Sequence, residues 1–175
     1  MKKEEFWAKQ YRRHIAKMVG VCYRYVADWQ VAEDLAQDAF LTAMEKSGTL
    51  RFWESIESWL TRIAVNQALM YLRNRPEMVA LEEEPMDAVE DQPDEVAENK
   101  VEFTQEELLK LIGKLPTKQR TVFNLYAVEH CPHAKIAETL GISVANSKVL
   151  LTRARAELQQ RLKVIAMKRK LAVSS

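Results

Sequence analysis

Apolar residues return every three or four positions along most of the chain, and no stretch alternates convincingly with a period of two, so helices rather than strands are expected. Ala32, Leu35, Ala36, Ala39, Phe40, Ala43 and Met44 form one apolar stripe, with Asp28 as N-cap and Gly48 as its end. A second stripe, Ile56, Trp59, Leu60, Ile63, Ala64, Ala68, Tyr71 and Leu72, runs up to Arg73-Asn74-Arg75-Pro76, where Pro76 disfavours helical geometry in the residue before it. An earlier helix from about Phe6 to Tyr25 completes a bundle. Further along, Thr104-x-x-Glu107 is a capping box opening Leu108-Leu109-x-Leu111-Ile112, and Pro116 suits the start of a helix carrying Val122-Phe123-x-Leu125-Tyr126. These later helices are expected to be short and closely spaced. The pattern predicts an all-α chain of two small helical modules.

Composition bounds the function and, taken whole, misleads about it. The chain has 175 residues with 26 Lys plus Arg against 25 Asp plus Glu, a net charge of +1 that argues against a polyanion binder. Counted by segment, residues 1–76 hold 12 bases and 9 acids (+3), residues 77–102 hold 1 and 11 (−10), and residues 103–175 hold 13 and 5 (+8). The middle segment, with Glu82-Glu83-Glu84, Glu90-Asp91 and two prolines, reads as an extended, solvated linker with a span of roughly 30 Å. Apolar runs fall far short of the roughly 20 residues that cross a bilayer, and acids follow the basic start with no apolar segment after them, so a cytoplasmic chain is expected. Cys22 and Cys131 stand far apart without a C-x-x-C pair, as reduced intracellular thiols do.

The basic third segment contains the most informative stretch, His133 to Leu151, which has the pattern of a helix-turn-helix. Ala137 is small where the helices cross, Gly141 supplies the turn, Ile142 plugs the core and Ser143 caps the second helix. Lys148, Arg153 and Arg155 then face outward, with Leu151, Ala154 and Leu158 on the other side, which suits a helix entering a major groove. The competing reading, bases that merely solvate a helix hairpin, is outweighed by the turn chemistry and the module's charge. Arg169 and Lys170 read as a frayed basic tail and are assigned no site.

Five motifs in register complete the pattern: Ala32-Glu33-Asp34-Leu35-Ala36-Gln37-Asp38-Ala39-Phe40, Trp59-Leu60-Thr61-Arg62-Ile63-Ala64-Val65-Asn66, Leu115-Pro116-x-x-Gln119-Arg120, Ile136-Ala137-Glu138 and Arg153-Ala154-Arg155. In this order they resemble RNA polymerase sigma factors of the sigma-70 family, extracytoplasmic-function (ECF) type, over nearly all of residues 6–165. The resemblance implies sigma domain 2 over 1–76, an acidic linker over 77–102 that threads toward the polymerase cleft, and sigma domain 4 over 103–175. It implies as partners the clamp helices and flap of core RNA polymerase, promoter DNA and an anti-sigma factor. Glu33, Asp34, Gln37 and Asp38 would form the polymerase-binding face, with Leu35 and Phe40 in the core. Phe52 and Trp53 would stack on unpaired bases of the −10 element and Arg51 contact its backbone, while Arg62, Asn66, Arg73 and Arg75 hold the strand through phosphates and base edges; Trp59 reads as core. The family opens DNA without ATP, so trapped bases would offset the unstacking cost. Lys148, Val149, Thr152 and Arg153 would face −35 base edges, with Asn146 and Arg155 nearer phosphates.

Two departures from the family pattern stand out. Relatives commonly carry Thr-Val-Lys-x-Arg-Leu where this chain has Asn146-Ser147-Lys148-Val149-Leu150-Leu151, which puts a hydroxyl at a packing position and a leucine at an arginine position. Cys131-Pro132-His133-Ala134 stands where an aromatic and an acid usually precede Ile-Ala. The promoter letters are therefore not carried over from relatives. His130, Cys131 and His133 offer fewer than four ligands at no ordinary zinc spacing, so no metal and no cofactor is expected. No phosphate loop, metal cluster or G-x-S-x-G is present, so neither catalysis nor a small-molecule substrate is expected. The alternative is a stand-alone helix-turn-helix regulator with an N-terminal dimerisation or sensing bundle, which has no reason to contain the Ala32–Phe40 helix.

Overall fold

The computed structural model describes residues 2–51, 55–79 and 102–174, all helices and their connections without a strand among them. Two compact units divide at residue 79. Residues 80–101 of the expected linker, and Phe52 and Trp53, lie outside the described residues. No helix of the described residues is long and apolar enough to cross a membrane.

The first unit is a bundle of α1 (Lys3–Val26), α2 (Trp29–Glu45) and α3 (Ile56–Arg73), each packed on the other two. Asp28 is the N-cap of α2, its Oδ1 accepting from the N–H groups of Gln30 and Val31 at 3.0 and 3.1 Å. Ala27 just before it takes a left-handed φ of 55° and ends α1. The expected stripes are the buried faces: Ala32, Leu35, Ala36, Ala39, Phe40 and Ala43 from α2 meet Trp59, Leu60, Ile63, Ala64, Ala68 and Leu72 from α3. Met44, Ile56 and Tyr71 at the stripe edges are half-buried. α1 adds Trp7, Met18, Val21, Cys22 and Tyr25, and the ring of Phe40 receives Trp7 and Tyr11 edge-on at 5.8 and 5.1 Å. Cys22 is fully buried, its Sγ–H pointing at the Ala64 carbonyl from 3.7 Å, and burial pushes the thiol up to about 12.

Two boundaries differ from expectation. Helix α2 stops at Glu45, with the Lys46 N–H bonding back to Thr42, and Gly48 belongs to a separate 3-10 turn, Ser47–Thr49. Pro76 does break α3, which ends at Arg73, but it also opens a four-residue helix, α4 (Pro76–Val79), since its missing N–H costs nothing in a first turn. The first residues of the expected linker are thus helical.

The second unit comprises α5 (Gln105–Gly113), α6 (Thr117–Phe123), a π-helical turn (Asn124–Val128), α7 (His133–Leu140) and α8 (Val144–Val173). The capping box forms in both directions, Thr104 Oγ1 accepting from the Glu107 N–H at 3.2 Å and Glu107 Oε2 from the Thr104 N–H at 3.0 Å. Arg120 is 6% exposed; its Nη1 donates to the carbonyls of Gly113 and Leu115 at 3.2 and 3.0 Å, placing a cation at the negative end of α5. That explains physically why an arginine follows Leu115-Pro116 in the motif.

The helices expected at Thr104 and Pro116 are indeed short, α5 of nine residues and α6 of seven, whereas α8 runs for 30 residues. Arg169 is not in a frayed tail. It donates to the Glu102 carbonyl at 2.9 Å, pairs with the Glu107 carboxylate and lies over the Phe103 ring at 5.0 Å, fastening the end of α8 to the start of α5. Ile142 is only half-buried; the unit's core is instead Leu111, Leu115, Val122, Leu125, Ile136, Leu150, Leu151 and Ala154.

His14 yields a pH prediction. It is 7% exposed, with Nε2 unpartnered among the described residues, and its pKa is lowered from 6.5 by burial first, then by Arg13 and Lys17, with Glu57 pulling upward. The folded ring resists a proton that the unfolded chain accepts, so this stability is intact above 6.5 and falls as the pH drops below it. The melting temperature is expected to fall between about pH 7.5 and 5.5, and His14→Gln to flatten that decline; equal slopes in both proteins would contradict it.

Candidate nucleic-acid and partner interfaces

Burial of one side of α2 decides what its other side presents. Glu33, Asp34, Gln37 and Asp38 are all exposed, as two neighbouring i, i+4 pairs between the buried positions. No cation among the described residues pairs with the three acids. The face continues beyond the residues that sequence reasoning singled out. Trp29 is 52% exposed and stacks on Tyr23 with ring centroids 3.8 Å apart, and Leu41, four residues after Gln37, is 58% exposed. Gln37 and Leu41 also border an apolar groove of about 480 Å³ between α1 and α2, floored by Trp7, Tyr11 and Phe40. The signal for it was Leu41, a large apolar residue off the α2 stripe.

On α3, Arg62, Asn66 and Arg73 fall on one outward stripe, with Met70, 59% exposed, between the last two. The structure therefore groups three of the −10 candidates. Arg75 stands apart beyond the helix end, where its guanidinium lies 4.2 Å from the Tyr71 ring centroid and donates to the Tyr71 hydroxyl. Arg51 is exposed and adjoins the undescribed 52–54.

The helix-turn-helix forms as read. Gly141 adopts φ 68°, its N–H and that of Ile142 both reach the Ala137 carbonyl, and Ser143 Oγ accepts from the Asn146 N–H at 3.0 Å to start α8. Lys148 is exposed, and Val149, Thr152 and Arg153 are half-exposed beside it on one arc. Arg155 borders that arc, its guanidinium 5.6 Å from the Tyr126 ring centroid.

Asn146 needs correction. It is 5% exposed, packed inside the unit at the first turn of α8, and so is not placed among the groups that reach phosphate. Spacing alone did not mark it, since Asn146 also stands seven residues before Arg153, on that residue's side of the helix. Ser147 is fully buried next to it, with Oγ 2.8 Å from Nδ1 of His133, and the His133 ring stacks on Tyr126 at 4.4 Å. His133 is thus engaged with Ser147 and Tyr126, and no group of three or more metal-ligating side chains gathers among the described residues. Cys131 is half-buried, and that burial raises its thiol pKa.

The positive φ of Gly141 carries a prediction. A Cβ there meets nothing within 4 Å, so the cost of Gly141→Ala is the left-handed backbone alone, about 1–2 kcal/mol. Gly48 also faces open space but has no positive φ, and Gly48→Ala is expected to be near neutral in the same denaturation measurement.

Comparison with known proteins assigns these surfaces a family. The family model described as Sigma-70 region 2 matches residues 10–76, and that described as Sigma-70, region 4 matches residues 105–158. The chain is 28% identical to the RNA polymerase sigma factor YlaC of Bacillus subtilis, covering 86% of this chain and 88% of that one. It is also 28% identical to the ECF RNA polymerase sigma factor SigW of Bacillus subtilis, covering 84% and 83%. A solved complex of the sigma factor RpoE with the anti-sigma factor NepR from Bartonella quintana shares the fold with TM-score 0.53 at 20% identity, over 91% of this chain and 98% of that one. With a region 2 bundle, a region 4 helix-turn-helix and ECF relatives along most of its length, the chain belongs to the sigma-70 family of promoter-directing RNA polymerase subunits, in its extracytoplasmic-function type.

Proposed function

We propose that the first unit, as sigma domain 2, docks on core RNA polymerase through Glu33, Asp34, Gln37 and Asp38 and holds the −10 strand along Arg62, Asn66 and Arg73. Arg51 and Arg75 flank that strand, and Phe52 and Trp53 take unpaired bases. The second unit, as sigma domain 4, reads the −35 duplex through Lys148, Val149, Thr152 and Arg153, with Arg155 on phosphate and the flap of the polymerase as its protein contact. The observation that carries this reading is the separation of charges by unit and face. Acids without a cation partner among the described residues cover one side of α2, while basic side chains line the outer sides of α3 and α8. An acidic face suits a basic partner helix and repels DNA; basic faces suit phosphates.

In this reading the chain acts in the cytoplasm, catalyses no reaction alone and opens DNA with binding energy. Bases captured outside the stack offset an unstacking cost of a few kcal/mol each. An anti-sigma factor, the kind of partner seen on RpoE of Bartonella quintana, would silence the chain by covering these same surfaces. The stand-alone regulator is not favoured, because it gives the acidic side of α2 no task.

Run-off transcription with purified core polymerase on genomic fragments is the direct test. Promoter-dependent transcripts are expected, and their absence together with failure to co-purify core enzyme would overturn the reading. The double change Asp34→Lys, Asp38→Lys is expected to weaken core binding by at least about tenfold with the helical signal intact. Arg153→Ala should cost about 1–3 kcal/mol on templates with a −35 element and little on templates without one; equal losses on both would remove Arg153 from duplex reading.

A further inference from the structure

The two places where the second unit departs from the family pattern touch each other. Nδ1 of His133, at the start of α7, lies 2.8 Å from Oγ of Ser147, in the first turn of α8. Ser147 has no exposed surface, so water cannot satisfy its hydroxyl and the imidazole does so instead. Apart from this bond, Ile136 and Ala137 of α7 and Leu150, Leu151 and Ala154 of α8 contribute buried apolar side chains to this core. Apolar burial holds helices together without a preferred direction, whereas a hydrogen bond of this length has one.

The contact continues through the rings. His133 stacks on Tyr126 of the π-helical turn at 4.4 Å with the planes 21° apart, and the Arg155 guanidinium stands over the same tyrosine at 5.6 Å. The path leaves α8 at Ser147, crosses α7 and the π turn, and returns to α8 at Arg155, two turns further on. It constrains both the angle of α8 against α7 and the place where Arg155 emerges.

We infer that His133 and Ser147 are positioning residues for duplex reading: their hydrogen bond sets the pose from which Lys148, Thr152 and Arg153 meet base edges, and the His133–Tyr126 stack sets the pose of Arg155. Neither residue touches DNA. The inference rests on the reading of α8 as the duplex-reading helix.

The test uses holoenzyme assembled from core polymerase and the full chain, transcribing a promoter library whose −35 block is randomised. The quantity read is the enrichment of preferred −35 blocks, not the yield, at a temperature where circular dichroism shows each variant folded. Ser147→Ala removes the hydroxyl, His133→Phe keeps a ring on Tyr126 without the hydrogen bond, and His133→Asn keeps a hydrogen-bonding atom at the δ position. Ser147→Ala and His133→Phe are expected to lower the enrichment about tenfold, as loss of a buried hydrogen bond does, with His133→Asn staying within about threefold of the natural chain. Undiminished enrichment in Ser147→Ala and His133→Phe overturns the inference. So does His133→Asn falling as far as His133→Phe, since a hydrogen-bonding atom returned to the δ position would then restore nothing. If Ser147→Ala does not fold, the two His133 variants decide, since both leave Ser147 in place. A flat library for the natural chain overturns the duplex-reading role of α8 itself, and is distinguished because no variant can then fall below it.

Discussion

Six alanines on α2 and α3, Ala32, Ala36, Ala39, Ala43, Ala64 and Ala68, have no exposed surface, and the close approach they permit fixes the rotation of each helix about its own axis. Larger side chains there would hold the helices apart. With the seam this narrow, Glu33, Asp34, Gln37 and Asp38 have nowhere to point but outward, and Arg62, Asn66 and Arg73 are turned out of α3 by the same rule. The candidate binding faces of the first unit are what its packing leaves over.

The second unit settles its geometry differently, with polar groups inside. Arg120 closes the end of α5, Thr121 donates to the Thr117 carbonyl at 2.7 Å, and Ser147 meets His133. Buried groups of this kind are costly unless paired, and pairing imposes direction, so they select one arrangement among those that equal apolar burial would allow. If α8 enters a groove as proposed, a set angle is what that choice supplies; a bundle that presents a broad acidic face needs it less.

The local part of this design was legible in the sequence. Asp28, Thr104 with Glu107, and Ser143 act within three residues, Gly141 answers a backbone demand of its own turn, and the α2 and α3 stripes repeat at the helical period. What was missed depends on partners far along the chain. Arg169 looked like tail because Glu102 and Glu107 are more than sixty residues away, and the hydroxyl at 147 looked out of place because its imidazole partner lies on another helix. Asn146 is a different kind of miss, since it stands seven residues before Arg153 and four before Leu150, at the border of the outer and inner faces, where only the packing decides. The acids of α2 are exposed as their spacing implies, but the face extends to Trp29 and Leu41, which single-residue reasoning treats as ordinary surface apolars.

The length of α8 gives the second unit a mechanical property. At 30 residues it is a rod of about 45 Å, with the side chains proposed to meet DNA at one end and the Arg169 anchorage at the start of α5 near the other. Arg169 stands about 24–32 Å along the helix from Arg153 and Lys148, so a tilt of about 10° about the anchorage would move those side chains by about 4–5 Å, more than one base-pair step. A protein that grips the α5 end of this unit therefore acts on a lever, and can shift the opposite end of α8 without touching the side chains there.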